Sequence, residues 1–483
     1  MLFRQIVDPK LAQYAYLVGC QQTKEAVIVD PERDVDRYIE IAADENLRIT
    51  AVVETHIHAD FLSGAREFAE RHGTTTYLSD EGDANWKYEW ARSREDVVFL
   101  KDGDVFHVGN IEFKAVHTPG HTPEHLSYVI TDRGSGATKA IGVVTGDFVF
   151  VGDLGRPDLL ETAAGMHGMQ EPAAQQLFRS LPRFTELEDY LQVWPGHGAG
   201  SACGKALGAV PVTTVGYERL YNASLDAASR GERAFVDAIL AGQSEPPLYF
   251  ARMKQANKLG PDLLGDLPSP RQLSVSDLER IADSRGHVVV DTRLDRSAFM
   301  EQHLPGSLYA PMNKTFNTVV GSLLVDPSSS IVLIVDSVRV EEAVRDLVRI
   351  GFDNVTASAT PETLAAYFAK GGRSATIPEI GFDELERLRA DETYAVIDTR
   401  YQSEYDAGHV PGAIAASYTR LPEYLDDRIP RDRKLLVYCG SGARSAAASS
   451  FLARQDLDVR YVNGEFSSYA ARHEQTLAES LTS

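Results

Sequence analysis

Cysteine is scarce in this sequence. The chain of 483 residues has three cysteines, Cys20, Cys203 and Cys439, and they lie far apart. Such spacing offers no disulfide framework and is typical of proteins in a reducing compartment. Each cysteine is therefore either a small buried apolar side chain or a reactive thiol, and we expect a cytoplasmic protein.

Long hydrophobic runs are also missing. No apolar stretch approaches the roughly 20 residues that a helix needs to cross a bilayer. The first residues, MLFRQIVDPKLAQYAYLVG, place Asp8, Pro9 and Lys10 where a secretory signal would have its apolar region. The sequence therefore predicts neither a signal peptide nor a membrane partner.

Positive charge is in short supply. The chain has 48 Lys and Arg against 70 Asp and Glu, which gives a formal net charge of −22 at pH 7. This balance disfavours nucleic acid and anionic membranes as partners. An anionic substrate is still compatible with this net charge if nearby arginine or lysine residues and a metal make the electrostatic field at the site positive.

The length of the chain predicts about three domains, at roughly 100–200 residues each. The C-terminal half contains a repeat, because VVVDTRLDRSAFMEQHLPGS is similar to AVIDTRYQSEYDAGHVPGA. The two DTR triplets begin at Asp291 and Asp398, so the period is 398 − 291 = 107 residues. In each copy an apolar run leads through a loop into a helical pattern. We therefore predict two tandem α/β domains with parallel sheets, at residues 270–370 and 376–483.

Residues 1–260 have a different pattern, because short β-rich runs alternate there with helical stretches. Four segments carry metal-binding residue types after such runs: THIHAD (55–60), HTPGHTPEH (117–125), TGDFVF (145–150) and WPGHGAGSACGK (194–205). Side chains that follow strands can converge at one end of a sheet. These segments therefore predict a metal site in the first domain.

The order of these four motifs resembles the metallo-β-lactamase fold, an αββα sandwich. The usual string HxHxDH begins here at His56 and ends at Phe61, so a phenyl ring replaces the last histidine. In two-zinc members of the family, that histidine and the aspartate bind the second metal. The resemblance therefore implies that only one metal remains.

The family branch with a single iron uses two histidines and a carboxylate, and the residues that match it are His56, His121 and Asp147. This donor set is the facial triad typical of non-haem Fe(II) oxygen chemistry, which leaves positions open for O2 and substrate. The resemblance implies one mononuclear Fe(II) per chain. His58 and Asp60 are expected to orient the ligands from outside the triad, and direct metal binding by His58 is left open.

Two further residues are candidates for substrate contact. GDLGRPD resembles the GRxD element of persulfide dioxygenases, which implies that Arg156 binds the organic part of a persulfide; a structural ion pair with Asp158 is the alternative. The loop of Cys203 resembles that of persulfide dioxygenases fused to sulfurtransferases, where this thiol would accept or relay sulfur or be buried and inert. His197 matches a second-metal ligand of two-zinc relatives, and with Phe61 present we expect it not to bind metal.

The last repeat carries the pattern of a reactive cysteine. In LLVYCGSGARSA, Cys439 follows an apolar strand and precedes a helix, and Gly440 and Gly442 tolerate unusual backbone angles. Such a loop can turn its N–H groups inward and hold a thiolate or persulfide, with Arg444 as a further positive charge. With DTR and HVPGA, the pattern resembles the rhodanese family of sulfurtransferases. The resemblance implies that Cys439 and Arg444 are catalytic residues.

The first repeat keeps DTR and HLPGS but not this chemistry. Aligning the loops puts Asp336 at the position of Cys439 and Glu341 at the position of Arg444. The repeat resembles an inactive rhodanese, for which a packing or interface role is the simplest account.

The whole chain thus resembles a persulfide dioxygenase fused to an inactive and then an active rhodanese domain. The resemblance implies oxidation of a small persulfide by O2 to sulfite, transfer of a second sulfur through Cys439 to give thiosulfate, a role in sulfide detoxification, and a homo-oligomer. The thiol carrier, which is glutathione, coenzyme A or another small thiol, is left open. Two alternatives also stay open: a zinc-dependent, glyoxalase-II-like thioester hydrolase, and a sulfur carrier whose first domain is a docking scaffold.

Overall fold

The computed structural model describes residues 1–159, 168–284 and 286–473. The chain divides into two units, one of Met1–Asp266 with Val348–Gly351 and one of Leu267–Leu347 with Phe352–Ser483. The two predicted C-terminal domains therefore belong to a single unit. The end of the predicted third domain, residues 474–483, lies outside the described residues.

Two six-stranded sheets form the centre of the first unit. In spatial order, the strands of the first sheet are β1 (Leu2–Asp8), β2 (Gln13–Cys20), β3 (Glu25–Val29), β4 (Arg48–Val53), β5 (Thr75–Ser79) and β6 (Val97–Leu100). Those of the second sheet are β12 (Thr213–Thr214), β11 (Gln192–Pro195), β10 (Gly142–Gly146), β9 (Leu126–Asp132), β8 (Ile111–His117) and β7 (Val105–Val108).

Alternation along the strands explains why the sheets stack with helices outside. In β3, Val27 and Val29 pack into a core shared with Phe113 and Tyr128 of the second sheet. Ile28 points to the opposite face, since successive side chains of a strand alternate, and packs in a second core with the helices. Each sheet of the sandwich therefore has one face against the other sheet and one face against helices.

The helices of the first unit cover the outer faces. They are α1 (Asp36–Asp44), α2 (Ala65–His72), α3 (Gln170–Ser180), α4 (Pro182–Thr185), α5 (Val215–Tyr221), α6 (Ala223–Ser229), α7 (Glu232–Leu240) and α8 (Phe250–Leu259). Tyr38 and Phe68 pack on the first sheet, and Leu177 and Phe235 pack on the second. The predicted αββα sandwich is confirmed.

Two five-stranded parallel sheets form the second unit, and they share one strand order. The first sheet contains β13 (Arg271–Gln272), β17 (Val355–Ala359), β16 (Ile331–Ile334), β14 (Val288–Asp291) and β15 (Leu308–Tyr309). The second contains β18 (Glu379–Ile380), β22 (Val459–Val462), β21 (Lys434–Tyr438), β19 (Tyr394–Asp398) and β20 (Ile414–Ala415). The predicted parallel sheets are confirmed, and each DTR triplet begins at the last residue of the second strand of its repeat.

Helices connect the parallel strands of both repeats. They are α9 (Val275–Asp283), α10 (Arg296–Glu301), α11 (Phe316–Leu323), α12 (Val340–Arg349), α13 (Pro361–Ala369), α14 (Phe382–Leu388), α15 (Gln402–Ala407) and α16 (Ala443–Arg454). Among all the helices within the described residues, none has the length and apolar character needed to cross a bilayer.

The strand register corrects the alignment of the two loops. The aspartate of each DTR triplet pairs with the last residue of the neighbouring strand, which is Ile334 in the first repeat and Tyr438 in the second. The next residue is Val335 in the first repeat and Cys439 in the second. Val335, and not the predicted Asp336, therefore occupies the position of the cysteine.

The same shift of one residue applies to Glu341. Counting on from the cysteine position places Val340 opposite Arg444. Glu341 therefore does not lie opposite Arg444, because the alignment followed residue similarity where hydrogen bonding between strands sets the register. The first repeat still has no thiol at this position.

Candidate active site

The three predicted metal ligands lie together at the ends of strands. His56 follows β4, His121 lies between β8 and β9, and Asp147 follows β10. All three are buried, and a ligand atom from each lies within 4.8 Å of the others. His121 Nε2 is 3.4 Å and His56 Nε2 is 4.0 Å from Asp147 Oδ2. Their role as iron ligands stays a prediction.

The donor set fits a metal ion. Both carboxylate oxygens of Asp147 are buried, and neither has a hydrogen-bond partner of normal geometry among the described residues. Such a carboxylate is costly unless it is paired with a cation. Burial raises the pKa of Asp147 to about 6 and lowers the pKa of His121 to about 4. At pH 7 the carboxylate is therefore ionised and the imidazole neutral, which are the forms that bind metal.

Hydrogen bonds on the far side of each ring fix the tautomers of the two histidines. His121 Nδ1 lies 3.0 Å from the carbonyl oxygen of Arg156, which can only accept, so Nδ1 carries the proton. His56 Nδ1 lies 2.9 Å from Thr55 Oγ1, whose own proton is donated to Asp30 Oδ2 at 2.9 Å. In both rings Nε2 therefore keeps its lone pair for the centre.

A third histidine, His125, holds the backbone of Asp147. The N–H of Asp147 donates to His125 Nε2 at 3.1 Å, so Nδ1 of this ring carries the proton and donates to Thr118 Oγ1 at 2.8 Å. The neighbouring Gly146 has φ +48°, and a Cβ there would lie 2.6 Å from His125 Nε2. This role of His125 was not predicted, although His125 lies in the same motif as His121.

His58 lies outside the triad. Its Nε2 is 3.2 Å from Asp30 Oδ1, and its ring centroid is 4.2 Å from that of His56. Burial by itself lowers the pKa of His58, but the Asp30 carboxylate, with those of Glu54 and Asp60, raises it to about 10. This geometry favours the predicted supporting role over direct metal binding.

A second set of donors lies beside the triad. Asp60, His197 and Cys203 are buried and also bring one ligand atom each within 4.8 Å of the others. His197 Nε2 lies 3.3 Å from Asp60 Oδ2 and 3.5 Å from Asp147 Oδ1. Phe61 is fully buried and supplies no donor. Although Phe61 replaces the last histidine of the motif, a second group of donors is present beside the triad, and it includes a thiol. This group was not predicted from the sequence.

Arg156 is an internal arginine. Its side chain is 1% exposed and forms a bidentate ion pair with Asp158, with Nε–Oδ1 and Nη2–Oδ2 distances of 2.8 and 2.6 Å. The guanidinium also donates to the carbonyl oxygens of Ala202 at 3.1 Å and Ser244 at 2.7 Å. These contacts favour the structural alternative, and the role of Arg156 in binding substrate stays a prediction.

Asn257 of α8 holds the loop that carries His56 and His58. Its Nδ2 donates to the carbonyl oxygens of His58 at 2.8 Å and Phe61 at 2.7 Å. Its Oδ1 accepts the N–H of Ser63 at 2.9 Å. Nothing in the sequence indicates this contact, because Asn257 lies 199 residues from His58 and forms no pattern with the motif.

We expect Asn257→Ala to destabilise the first unit and weaken its metal binding. Three buried backbone groups lose their partner, which lowers the free energy of unfolding by roughly 2–5 kcal/mol. Urea unfolding and metal content after gel filtration measure the two effects. Asn85→Ala, at an exposed asparagine, is the matched control and should unfold like the wild type. An unchanged midpoint for Asn257→Ala would contradict this role.

Cys439 directly follows β21, and its loop leads into α16. Cys439 is 1% exposed, and Ser445 Oγ lies 3.5 Å from its sulfur. Gly442 has φ +88°, and a Cβ there would lie 2.6 Å from Asn463 Oδ1 and 2.7 Å from the Tyr461 hydroxyl. This glycine is needed for both its backbone angle and its lack of a side chain.

Arg444 is paired. Its Nη1 and Nη2 lie 2.5 and 2.8 Å from the carboxylate oxygens of Glu404 on α15. Burial lowers the pKa of Arg444, but the Glu404 hydrogen bonds and charge outweigh it and the net shift is upward. The positive charge predicted for the loop is therefore largely compensated by Glu404, which the sequence analysis did not identify.

Comparison with known proteins agrees with this architecture. Residues 8–197 match the model of the metallo-beta-lactamase superfamily. A metallo-beta-lactamase from Staphylococcus aureus subsp. aureus COL is 38% identical in structure-based comparison, with a TM-score of 0.66, and the match covers 75% of this chain and 99% of that chain. The chain belongs to the metallo-beta-lactamase superfamily.

This superfamily member also contains a rhodanese-like domain, at residues 382–472. Among curated relatives, the mitochondrial persulfide dioxygenase ETHE1 of Bos taurus is 26% identical over 202 residues, which are 41% of this chain and 68% of that protein. A hydroxyacylglutathione hydrolase of Pelagibacter ubique (strain HTCC1062) is 26% identical over 195 residues, which are 40% of this chain and 70% of that protein. The metallo-beta-lactamase domain thus resembles oxygenase and hydrolase relatives to the same degree.

Proposed function

We propose that the protein is an Fe(II)-dependent persulfide dioxygenase whose rhodanese-like domain transfers sulfur through Cys439. The observation that carries this proposal is the presence, in one chain, of a buried His–His–Asp triad and a cysteine loop at a helix N-terminus. Other reactions would use only the triad or only the cysteine loop, whereas sulfur oxidation coupled to sulfur transfer uses both. The similarity to a persulfide dioxygenase supports the same choice.

In this proposal His56, His121 and Asp147 hold the iron. Bound Fe(II) supplies the activation of O2 and a site for the anionic sulfur of the persulfide. The fixed tautomers keep both Nε2 atoms directed inward, and burial keeps water away from the centre. Asp147, ionised at neutral pH, offsets part of the charge of the metal.

The proposed reaction balances without a further reductant. A persulfide, RSSH, reacts with O2 and H2O to give RSH and sulfurous acid, which ionises to sulfite at neutral pH. The two sulfur atoms of the persulfide together lose four electrons, and O2 takes up four. The proposed partners are a small thiol persulfide, O2 and sulfite, with glutathione or coenzyme A as candidate carriers, in a cytoplasmic homo-oligomer.

The proposed second step uses Cys439 as a nucleophile. Its thiolate attacks the outer sulfur of a second RSSH, the S–S bond breaks, and RSH leaves after taking up the proton. Sulfite then attacks the outer sulfur of the Cys439 persulfide and leaves as thiosulfate, which regenerates the thiolate. Loop N–H groups at a helix N-terminus stabilise the negative charge in both states.

The test is O2 uptake by iron-loaded protein given glutathione persulfide, with sulfite and thiosulfate measured in parallel. We expect O2 uptake to require iron and persulfide and most of the sulfur to leave as thiosulfate. An iron-loaded, folded protein that takes up no O2 with glutathione, coenzyme A or other small persulfides would refute the dioxygenase. Sulfur loading of Cys439 in that case would leave the sulfur-carrier alternative.

A zinc-dependent thioester hydrolase is the second candidate. It is favoured by the second donor set of Asp60, His197 and Cys203, since two adjacent sets suit a two-metal hydrolytic centre. The similarity to a hydroxyacylglutathione hydrolase supports it as well. Metal analysis with turnover of S-lactoylglutathione separates the candidates, because a hydrolase would retain two zinc ions and need no O2.

A further inference from the structure

The first repeat contacts the cysteine loop of the second through Arg296. This arginine is the first residue of α10, and its Nη2 donates to the carbonyl oxygen of Ser441 at 3.0 Å and to Asn463 Oδ1 at 2.9 Å. Ser441 is two residues after Cys439. Both repeats belong to the same unit of the chain. The repeat that lacks the nucleophile thus supplies a side chain to the loop that has it.

Equivalent helices of the two repeats hold this loop. In each repeat a short helix follows the DTR triplet, α10 in the first and α15 in the second. From α15, Glu404 holds the loop through Arg444. From α10, Arg296 holds the loop through Ser441. The first repeat therefore does more than pack against its neighbour.

Arg296 differs from the other arginines near the loop in having no direct carboxylate partner among the described residues. The arginines of the two DTR triplets pair with the aspartates of their own triplets, and Arg444 pairs with Glu404. Arg296 forms no ion pair with any residue that the structure describes. Its partners at hydrogen-bond distance are neutral oxygens. The carboxylate of Glu379 is reached only through Asn463, whose Nδ2 donates to Glu379 Oε1 at 2.8 Å.

Peptide geometry connects the Arg296 contact with the N–H groups of the loop. In a planar trans peptide the C=O and the N–H point in opposite directions. Arg296 fixes the carbonyl of Ser441, and thereby the direction of the Gly442 N–H. The Tyr461 hydroxyl, at 3.0 Å, and Ser445 Oγ, at 3.2 Å, fix the carbonyl of Gly442 in the same way, and thereby the N–H of Ala443.

We propose that Arg296 is a positioning residue: it orients the loop of Cys439 so that the loop stabilises first a thiolate and then a persulfide anion. It acts by fixing the peptide between Ser441 and Gly442 and by placing against the loop one positive charge that has no direct carboxylate partner among the described residues. The sulfur anion carries one negative charge before and after it takes up a sulfur atom, so the same arrangement serves both states. The inference rests on the proposed function only in that Cys439 reacts as a thiolate.

The test compares Arg296→Met, which removes the donor and the charge, with Arg296→Lys, which keeps both. The readout is the rate of Cys439 alkylation by iodoacetamide from pH 5 to 10, followed by peptide mass spectrometry. We expect the Met variant to react about tenfold more slowly at pH 7, with its pH midpoint raised by about one unit, as for loss of a nearby opposite charge. The Lys variant should recover most of the wild-type rate.

Arg280→Met is the matched control, because this arginine also lies in the first repeat but is highly exposed and pairs with Asp277. It should alkylate like the wild type. A wild-type pH profile for Arg296→Met, with or without a lower melting temperature, would overturn the proposal and leave a packing role. If the Met variant does not fold, Arg296→Gln takes its place, with the same shift of the midpoint expected because the charge is lost.

This measurement is independent of the dioxygenase. Alkylation needs neither persulfide nor O2, so a wild-type protein without O2 uptake would refute the proposed oxidation and leave the Arg296 comparison valid. Conversely, an unchanged alkylation profile would refute the role of Arg296 and leave the proposed reactions untouched.

Discussion

Replacing His121 with alanine is expected to abolish O2 uptake and iron binding together. His121 is buried, its Nδ1 is fixed by the Arg156 carbonyl, and its Nε2 lies 3.4 Å from Asp147 Oδ2. Loss of residues that merely orient a ligand costs 10–100-fold in metal affinity, so loss of a ligand should cost at least about 100-fold. Iron content after dialysis and O2 uptake with glutathione persulfide measure the two effects.

His117→Ala is the matched control for this variant. His117 lies in the same HTPGHTPEH segment, but its Nε2 contacts the carbonyl oxygen of Pro123 at 2.8 Å and the ring is outside the triad. This variant should keep its iron and its O2 uptake. Sulfur loading of Cys439, measured in both variants, reports whether the rest of the chain is intact. Full iron content and O2 uptake in His121→Ala would show that the ligand assignment is wrong.

Replacing Cys439 with serine is expected to change the product from thiosulfate to sulfite. Serine has nearly the shape of cysteine, but its hydroxyl is not ionised at neutral pH and cannot form a persulfide. Removal of a nucleophile lowers turnover by orders of magnitude, so enzymatic thiosulfate formation should fall at least about 1,000-fold. O2 uptake should stay within about twofold, since the triad is untouched, and sulfite should accumulate.

Cys20→Ser is the matched control for the cysteine variant, because Cys20 belongs to the core shared by the two six-stranded sheets. It should form thiosulfate like the wild type. A protein-free reaction measures the direct reaction of sulfite with persulfide. Unchanged enzymatic thiosulfate formation in Cys439→Ser would refute the proposed transfer, and its loss only after Cys203→Ser is added would assign the transfer to Cys203 instead.

Much of the fold could be predicted from local pattern. Strand alternation places Val27 and Ile28 on opposite faces of one sheet, and this alternation indicates a sheet with two packed faces. Repetition of strand, loop and helix around the two DTR triplets predicts two parallel sheets, and both are present. The alignment at Asp336 failed because residue similarity does not determine which backbone groups pair between strands.

The candidate site could be predicted as far as its residues follow strands in short motifs. His56, His121 and Asp147 each stand directly after or between strands of one domain, and the structure brings them together. Asn257, His125 and Glu404 were missed, because each acts through hydrogen bonds to a segment that is distant along the chain. A single polar residue on a helix or loop has no periodicity or spacing that distinguishes it from a solvated one.

The sequence by itself determined the elements and the reactive side chains: the strands, the metal-binding motifs at their ends, and a cysteine between a strand and a helix. Only the tertiary structure decided which second donors lie beside the triad, that Arg444 is paired with Glu404, and that Arg296 of the first repeat holds Ser441 in the second. The physical reason is how far apart along the chain the interacting residues lie. Secondary structure and motifs arise from neighbours along the chain, whereas these contacts join residues that only packing brings within hydrogen-bond distance.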